Sequence, residues 1–394
     1  MLNNKVKLAT SLIMTMSVVT GVSAAGLERS PQQIDVLFES GTYADIGYTH
    51  ISPEIKGTDV NDNHISDIAE DFQTLNYAVK MDLTPGFRLA VIYDEPYGAK
   101  VKFKGDSNFI ATNLPATNAN TRVEVKSKNL TTLLGYNLNK NFMIYGGPAL
   151  QELSADVHLR GVTYQASSGY NNSFDDIAIG WVTGLSYALP EIGFRASLTY
   201  RSEVDHNTTI KEDVPLADLI EFPYSHTNKG NITMPESLNL NLQTGLNPTT
   251  ALFAKVRWVP WGDFSYFAPV LKATTASLGL VGGKGVPLLK YHDDQTAIEV
   301  GGSKRLSSKL AISASGLWDS GAGAPAPTLG PVDGYWGVGL AAKYNINDKL
   351  ALSLGGRYMW FGDVKGEVSD GRIVGDFRDN TGYVIGTKLS YQMK

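Results

Sequence analysis

The chain of 394 residues contains no cysteine. That excludes a disulfide framework, a thiolate metal site and a cysteine nucleophile. It also lacks net positive charge: 34 Lys+Arg against 39 Asp+Glu leave −5. Nucleic acid is therefore not an expected partner, because phosphate contacts need a basic field. Charged residues make up only 19%, whereas 43% are apolar and 10% aromatic, a balance that excludes disorder for most of the chain. Beyond residue 24 there is no run of about 18 apolar residues, so no transmembrane helix is expected. Catalytic motifs are missing too. Neither a Gly-x-Ser-x-Gly elbow nor a His-Glu-x-x-His helix accompanies the six histidines, His50, His64, His158, His206, His226 and His292. The acidic pairs Asp175-Asp176 and Asp293-Asp294 fall in expected loops, where solvated tips explain them.

What is present begins with an export signal. Lys5 and Lys7 form a basic start, Leu8 to Val19 is mostly apolar, and Val22-Ser23-Ala24 supplies small residues before a cut at Ala25. Removing 1–24 takes away two lysines and no acids, so the mature charge is −5 − 2 = −7.

The rest alternates with period two. Leu238, Leu240 and Leu242 interleave with Asn239, Asn241 and Gln243; Trp336, Val338, Leu340, Ala342 and Tyr344 interleave with glycine, alanine and lysine. Each such strand has one greasy face and one small or polar face. The runs approach ten residues, the length a tilted strand needs to cross a bilayer. Tyr187, Trp258, Trp261, Trp318, Tyr335, Trp336, Tyr344 and Trp360 gather toward strand ends, as interfacial girdles do. Strands are expected near 43–52, 73–82, 87–93, 123–138, 142–159, 177–189, 193–208, 236–247, 250–261, 294–304, 309–318, 335–346, 349–363 and 377–393. Tight turns such as Asn139-Lys140-Asn141, Asn247-Pro248-Thr249 and Asn347-Asp348 alternate with long connections at 53–72, 94–122, 160–176, 209–235, 262–293, 319–334 and 364–376. Short turns on one side and long loops on the other predict an all-β fold: a transmembrane antiparallel barrel of about 14 strands in the outer membrane of a Gram-negative bacterium. The expected organisation is signal peptide 1–24, a short plug-like lumenal segment 25–42, and the barrel 43–394.

Three segments then carry a resemblance. Ala25-Gly26-Leu27-Glu28-Arg29-Ser30, Tyr93-Asp94-Glu95-Pro96-Tyr97-Gly98-Ala99, and Met234-Pro235-Glu236-Ser237-Leu238 running on through Trp258 to Trp261-Gly262-Asp263-Phe264 resemble the FadL/TodX family of outer-membrane transporters for long-chain fatty acids and other hydrophobic compounds. The resemblance implies passive uptake without a cofactor, and lateral release beside a distorted third strand. It departs from the family in having no Asn-Pro-Ala element and only a short stretch before the first strand, so the plug is expected to be reduced, with Ile34, Val36, Leu37 and Phe38 in the lumen. A diffusion porin for small hydrophilic solutes, an outer-membrane lipase and an adhesin are the alternatives.

Candidate residues follow from both lines. Phe103, Phe109, Ile110, Leu114, Phe264 and Phe267 lie on long loops, where apolar clusters suit capture of a hydrophobic ligand. On the ninth strand Leu252, Ala254, Val256 and Trp258 face lipid, which aims Phe253, Lys255 and Arg257 inward, since a cation facing lipid at mid-depth costs about 2–4 kcal/mol. They offer an apolar contact and charge for a carboxylate; Arg195, Arg201 and Arg357 are further inward cations, and an internal ion-pair network is the competing reading. Pro96, Tyr97 and Gly98 mark the expected lateral gap, because Pro96 cannot donate a ladder hydrogen bond. Asp59-x-Asn61-x-Asn63 has calcium-loop spacing, but His64 stands where the sharp turn wants glycine, so no metal is assigned. Expected partners are a long-chain fatty acid or another hydrophobic molecule and the lipid or lipopolysaccharide of the membrane, with the protein a monomer.

Overall fold

A computed structural model describes residues 27–30, 32, 34–111 and 119–393; the expected signal peptide and Leu114 lie outside them. Fourteen antiparallel strands close into a barrel. They are β1 (Thr42–Glu54), β2 (Phe72–Thr84), β3 (Phe87–Asp94 and Gly98–Lys102), β4 (Arg122–Asn137), β5 (Phe142–His158), β6 (Asn171–Leu189) and β7 (Phe194–Arg201 and Val204–Asp213). β8 (Thr227–Met234 and Ser237–Asn247), β9 (Thr250–Val259), β10 (Gln295–Arg305), β11 (Leu310–Asp319), β12 (Tyr335–Asn345), β13 (Leu350–Phe361) and β14 (Thr381–Met393) complete it. Closure is made by β1, which pairs with β14 from Thr42↔Met393 to Glu54↔Thr381 and with β2 on its other edge. Among the described residues no helix is long and apolar enough to cross a membrane; the strands satisfy each other's backbone groups, which is how a polar backbone survives in lipid.

The greasy face points outward. Leu340 is 70% exposed and Trp336 67%, solvent-facing only in the absence of lipid. Trp318, Trp336 and Trp360 lie opposite one another on adjacent strands, and Tyr77 stacks on Tyr93 at 4.5 Å; together they form the outer aromatic belt. At the other end Phe87 meets Tyr136 and Phe142 meets Tyr187, both at 4.7 Å.

The outer half departs from expectation at several strands. β6 starts at Asn171, β7 runs to Asp213 and β8 starts at Thr227, so much of 160–176 and 209–235 is strand rather than loop. The third strand resumes after Pro96 at Gly98, and β14 starts at Thr381 rather than 377. The cause is a reversal of polarity. Below the breaks at Ser202-Glu203 and Pro235-Glu236, Leu198, Leu238 and Leu242 are exposed while Ser197, Thr199 and Asn239 are buried. Above them Val204, Ile210, Ile232 and Met234 point in and Asp205, Asn207, Asn231 and Thr233 point out. Strands that stand clear of the bilayer have water outside and bury their apolar face instead.

Loops close the mouth. A second sheet joins Gly57–Asp59 and His64–Ile65 with Ala326–Pro327, Val364–Glu367 and Ile373–Phe377. Helix α1 (Pro215–Leu219) and helix α2 (Pro269–Ser277) pack in the connections after β7 and β9. The buried carboxylate of Glu212 accepts from Val270 N–H and Leu271 N–H at 2.9 and 3.1 Å, which neutralises the positive end of α2. Under this cap one apolar cluster runs from Leu27 and Ile51 to Phe377; a second, around Leu37, Phe38, Leu133 and Tyr145, fills the periplasmic half.

Candidate functional site

Lumen and wall are built by the same alternation. Because Leu252 and Trp258 of β9 face out, Phe253, Lys255 and Arg257 face in, and Arg257 is only 5% exposed. Its Nε donates to both carboxylate oxygens of Glu28 at 3.0 and 2.8 Å, Nη2 binds the same carboxylate, and Nη1 donates to Asn239 Oδ1 at 3.0 Å. Lys255 lies 3.9 Å from Glu299 and 5.8 Å from the centre of the Phe253 ring, whose space is provided by Gly301. Glu299 also accepts from Arg357 at 2.9 Å. Arg195 reaches Asp35 at 3.4 Å and lies over Phe38 at 4.2 Å. Arg201 donates to the backbone oxygen of Gln32 at 3.0 Å and to Thr131. Two adjoining cavities of about 70 and 50 Å³ share Asn241, Lys255, Glu299 and Arg357. That is room for a few waters.

Pro96, Tyr97 and Gly98 sit where the pairing of β2 with β3 is interrupted. β2 and β3 pair from Thr84↔Phe87 up to Tyr77↔Tyr93, and the chain ahead of β2 meets β3 again around the isolated bridge Ala69↔Val101. Between them Phe72–Asn76 and Asp94–Gly98 form no ladder with each other. Toward β4 the chain stays anchored, since Ser127 N–H donates to Tyr97 O at 3.1 Å and Tyr97 N–H to Ser127 Oγ at 2.7 Å. The free edge of β3 is taken by residues 27–30. Arg29 N–H donates to Pro96 O at 2.6 Å, Gly98 N–H to Leu27 O at 2.7 Å, and Glu28 stands opposite Tyr97. In an extended segment neighbours point to opposite faces. Glu28 therefore enters the lumen while Arg29 enters the opening, its guanidinium 3.8 Å above the Phe72 ring and in the space a side chain at Gly98 would need.

The loop aromatics have a different setting. Phe103 and Phe109 are fully buried and stack at 4.1 Å, and Phe264 packs on Trp261 at 5.3 Å; a ligand reaches them only through the interior. Ile110 and Phe267 are part-exposed, with Lys272 over the Phe267 ring at 4.8 Å. A cavity of about 220 Å³ opens elsewhere in the cap, lined by Leu159, Tyr164, Leu288, Leu329 and Val368, with His292 2.8 Å from Glu367 on its wall. Asp59, at the rim, is turned inward on its own loop: it accepts from Asn61 N–H, Asn63 N–H and Asn108 N–H at 2.9, 3.1 and 2.9 Å. Burial pushes its carboxyl up, but these donors and the Asn63 side chain outweigh that and hold it below the usual range. Glu28, Arg29 and the 220 Å³ cavity were not among the sequence candidates.

No curated protein sequence matches the chain significantly. Solved structures match its fold. A FadL homologue from Pseudomonas aeruginosa superposes with a TM-score of 0.70 at 13% identity, covering 91% of each chain. The toluene transporter TodX of Pseudomonas putida gives 0.62 at 14% identity, over 91% of this chain and 92% of that one. The toluene transporter TbuX of Ralstonia pickettii gives 0.60 at 12% identity, over 98% of both. The sequence model for outer membrane protein transport proteins (OMPP1/FadL/TodX) matches residues 34–393. Matched through nearly all of its barrel, the chain belongs to the OMPP1/FadL/TodX family of outer-membrane transport proteins.

Proposed function

We propose that the chain takes up amphiphiles, long-chain fatty acids foremost, by capture at the loop cap, passage along the lumen and lateral release between β2 and β3. Family membership makes it a channel for hydrophobic compounds in the Gram-negative outer membrane, not an enzyme; the choice of ligand and the route are our reading. The interrupted β2–β3 ladder is the observation that carries the route. An apolar tail loses about 0.8 kcal/mol per CH₂ on entering water. Sixteen methylenes would cost ~13 kcal/mol, and a sideways exit into the bilayer avoids that. The cavity beneath Leu288 and Leu329 supports capture. Lumenal Lys255 and Arg357, two cations on the one carboxylate of Glu299, support a carboxylate ligand over a hydrocarbon, whereas Arg257 is already closed on Glu28. The reading is of a monomer that needs no cofactor and sits among lipopolysaccharide.

A water-filled porin is less well supported, because apolar clusters occupy both ends of the lumen. The test is uptake of labelled oleate and labelled toluene by a deletion strain with and without the gene restored, alongside swelling of liposomes in sugars. Restored oleate uptake without sugar-driven swelling is expected. Rapid swelling with no hydrophobic uptake would replace this reading with the porin.

A further inference from the structure

The break between β2 and β3 holds a buried cation that no acid among the described residues touches. Arg29 is 7% exposed, is always protonated, and its Nε has no hydrogen-bond partner. Among the described residues its guanidinium makes no ion pair within 4 Å, although Glu95 and Glu124 lie close enough to act on it electrostatically. What it does touch is the face of Phe72 on one strand and the bare backbone of Gly98 on the other. A buried cation of this kind is costly unless something supplies an anion. Its position suggests what does. The opening lies immediately outward of the Tyr77–Tyr93 stack, at the level where a bilayer's head groups begin. A molecule leaving sideways there can swing its tail into lipid while its head passes between Phe72 and Gly98. Among the described residues, the group standing at that point is Arg29.

We propose that Arg29 forms an anion site in the barrel wall that receives the head group of a departing carboxylate amphiphile, and that it makes the exit selective for anionic over uncharged ligands. The proposal rests on lateral release as read above. A carboxylate entering the opening pairs with the guanidinium and relieves its desolvation, whereas a hydrocarbon of the same length has to pass an unpaired buried charge. Phe72 covers one flat face of the guanidinium, so a carboxylate would approach its edge, where Nε has no partner.

The experiment compares Arg29→Gln and Arg29→Lys with the wild type in a deletion strain, using labelled oleate and labelled 1-octadecene. Heat-modifiable migration establishes that each variant is folded. R29Q is expected to lower oleate uptake at least tenfold and to leave octadecene uptake unchanged or raised, while R29K keeps most of the oleate uptake. Equal loss of both ligands would make Arg29 a structural seal and overturn the proposal. So would unchanged oleate uptake. Lipopolysaccharide and phospholipid retained by the purified barrel are quantified as organic phosphate. A loss of bound phosphate in R29Q with oleate uptake intact would assign the site to a resident lipid instead. If the wild type takes up neither ligand, the channel reading itself fails; if it takes up octadecene but not oleate, the fatty-acid assignment and the anion site fail together while the hydrophobic channel stands.

Discussion

Glu28→Gln should free residues 27–30 from the wall without unfolding the barrel. Glu28 is 3% exposed and Arg257 5%, and the guanidinium gives the carboxylate hydrogen bonds from both Nε and Nη2. Solvent screening is therefore small, and breaking one side of such a pair costs about 3–5 kcal/mol. Glutamine keeps the shape and one acceptor, which places the expected loss at the lower end. At 1.4 kcal/mol per decade, ~3 kcal/mol raises the detached population about a hundredfold. Arg201 still holds Gln32 through its backbone oxygen, and Ile34, Leu37 and Phe38 remain buried, so detachment stops short of the deeper segment. The chain has no cysteine, which lets a single Ser30→Cys report alone. Ser30 is 8% exposed and its N–H donates to Pro96 O, so maleimide labelling should be slow in the parent and about a hundredfold faster with E28Q. Adding Arg257→Met should bring the rate most of the way back, because removing both charges leaves none buried alone. Labelling that stays within threefold of the parent in E28Q would refute the latch.

Three further outcomes can be measured. Leu340→Arg, on the lipid face, should lower refolding stability into vesicles by about 2–4 kcal/mol in urea titrations. Leu288→Trp should fill the cap cavity and depress oleate uptake at low ligand concentration more than at saturation; equal effects would remove that cavity from the path. The carboxyl of Asp59 is held below its ordinary value of 3.8, so its hydrogen bonds stabilise the cap fully above that pH. That contribution fades as pH falls through the lower folded value. The protection factors of the Asn61 and Asn63 amides, with exchange corrected for its intrinsic pH dependence, should therefore fall on acidification below pH ~4, and Asp59→Asn should abolish that acid-dependent fall.

The membrane-spanning part of the fold was legible because one physical rule governs it. Lipid outside and a narrow lumen inside force strict alternation, and Trp336 to Tyr344 or Leu238 to Leu242 display it without help from any partner. The outer half follows the opposite rule, with water outside and a packed cap inside. Val204, Ile210 and Ile232 then point inward, where an eye set for outward apolar residues finds only a polar loop. The one-residue irregularities at Ser202-Glu203 and Pro235-Glu236 hide the change further by shifting the phase of the alternation.

The site was legible only on its barrel side. Lys255 and Arg257 could be aimed inward because the alternative, a charge in lipid, is prohibitively costly. What neutralises Arg257 lies 229 residues away in sequence, and no local pattern encodes that distance. The same holds for Pro96: a missing donor explains why the ladder breaks, but not that residues 27–30 take up the vacant edge. Once they do, elementary strand geometry settles the rest. Glu28 and Arg29 are adjacent on an extended backbone, so one must enter the lumen and the other the wall. The acid closes on Arg257, and the base is left between Phe72 and Gly98, touched by no acid among the described residues. A pair of residues that looks like a neutral surface dipeptide in the sequence is thus divided by the fold into an internal latch and a buried cation in the wall.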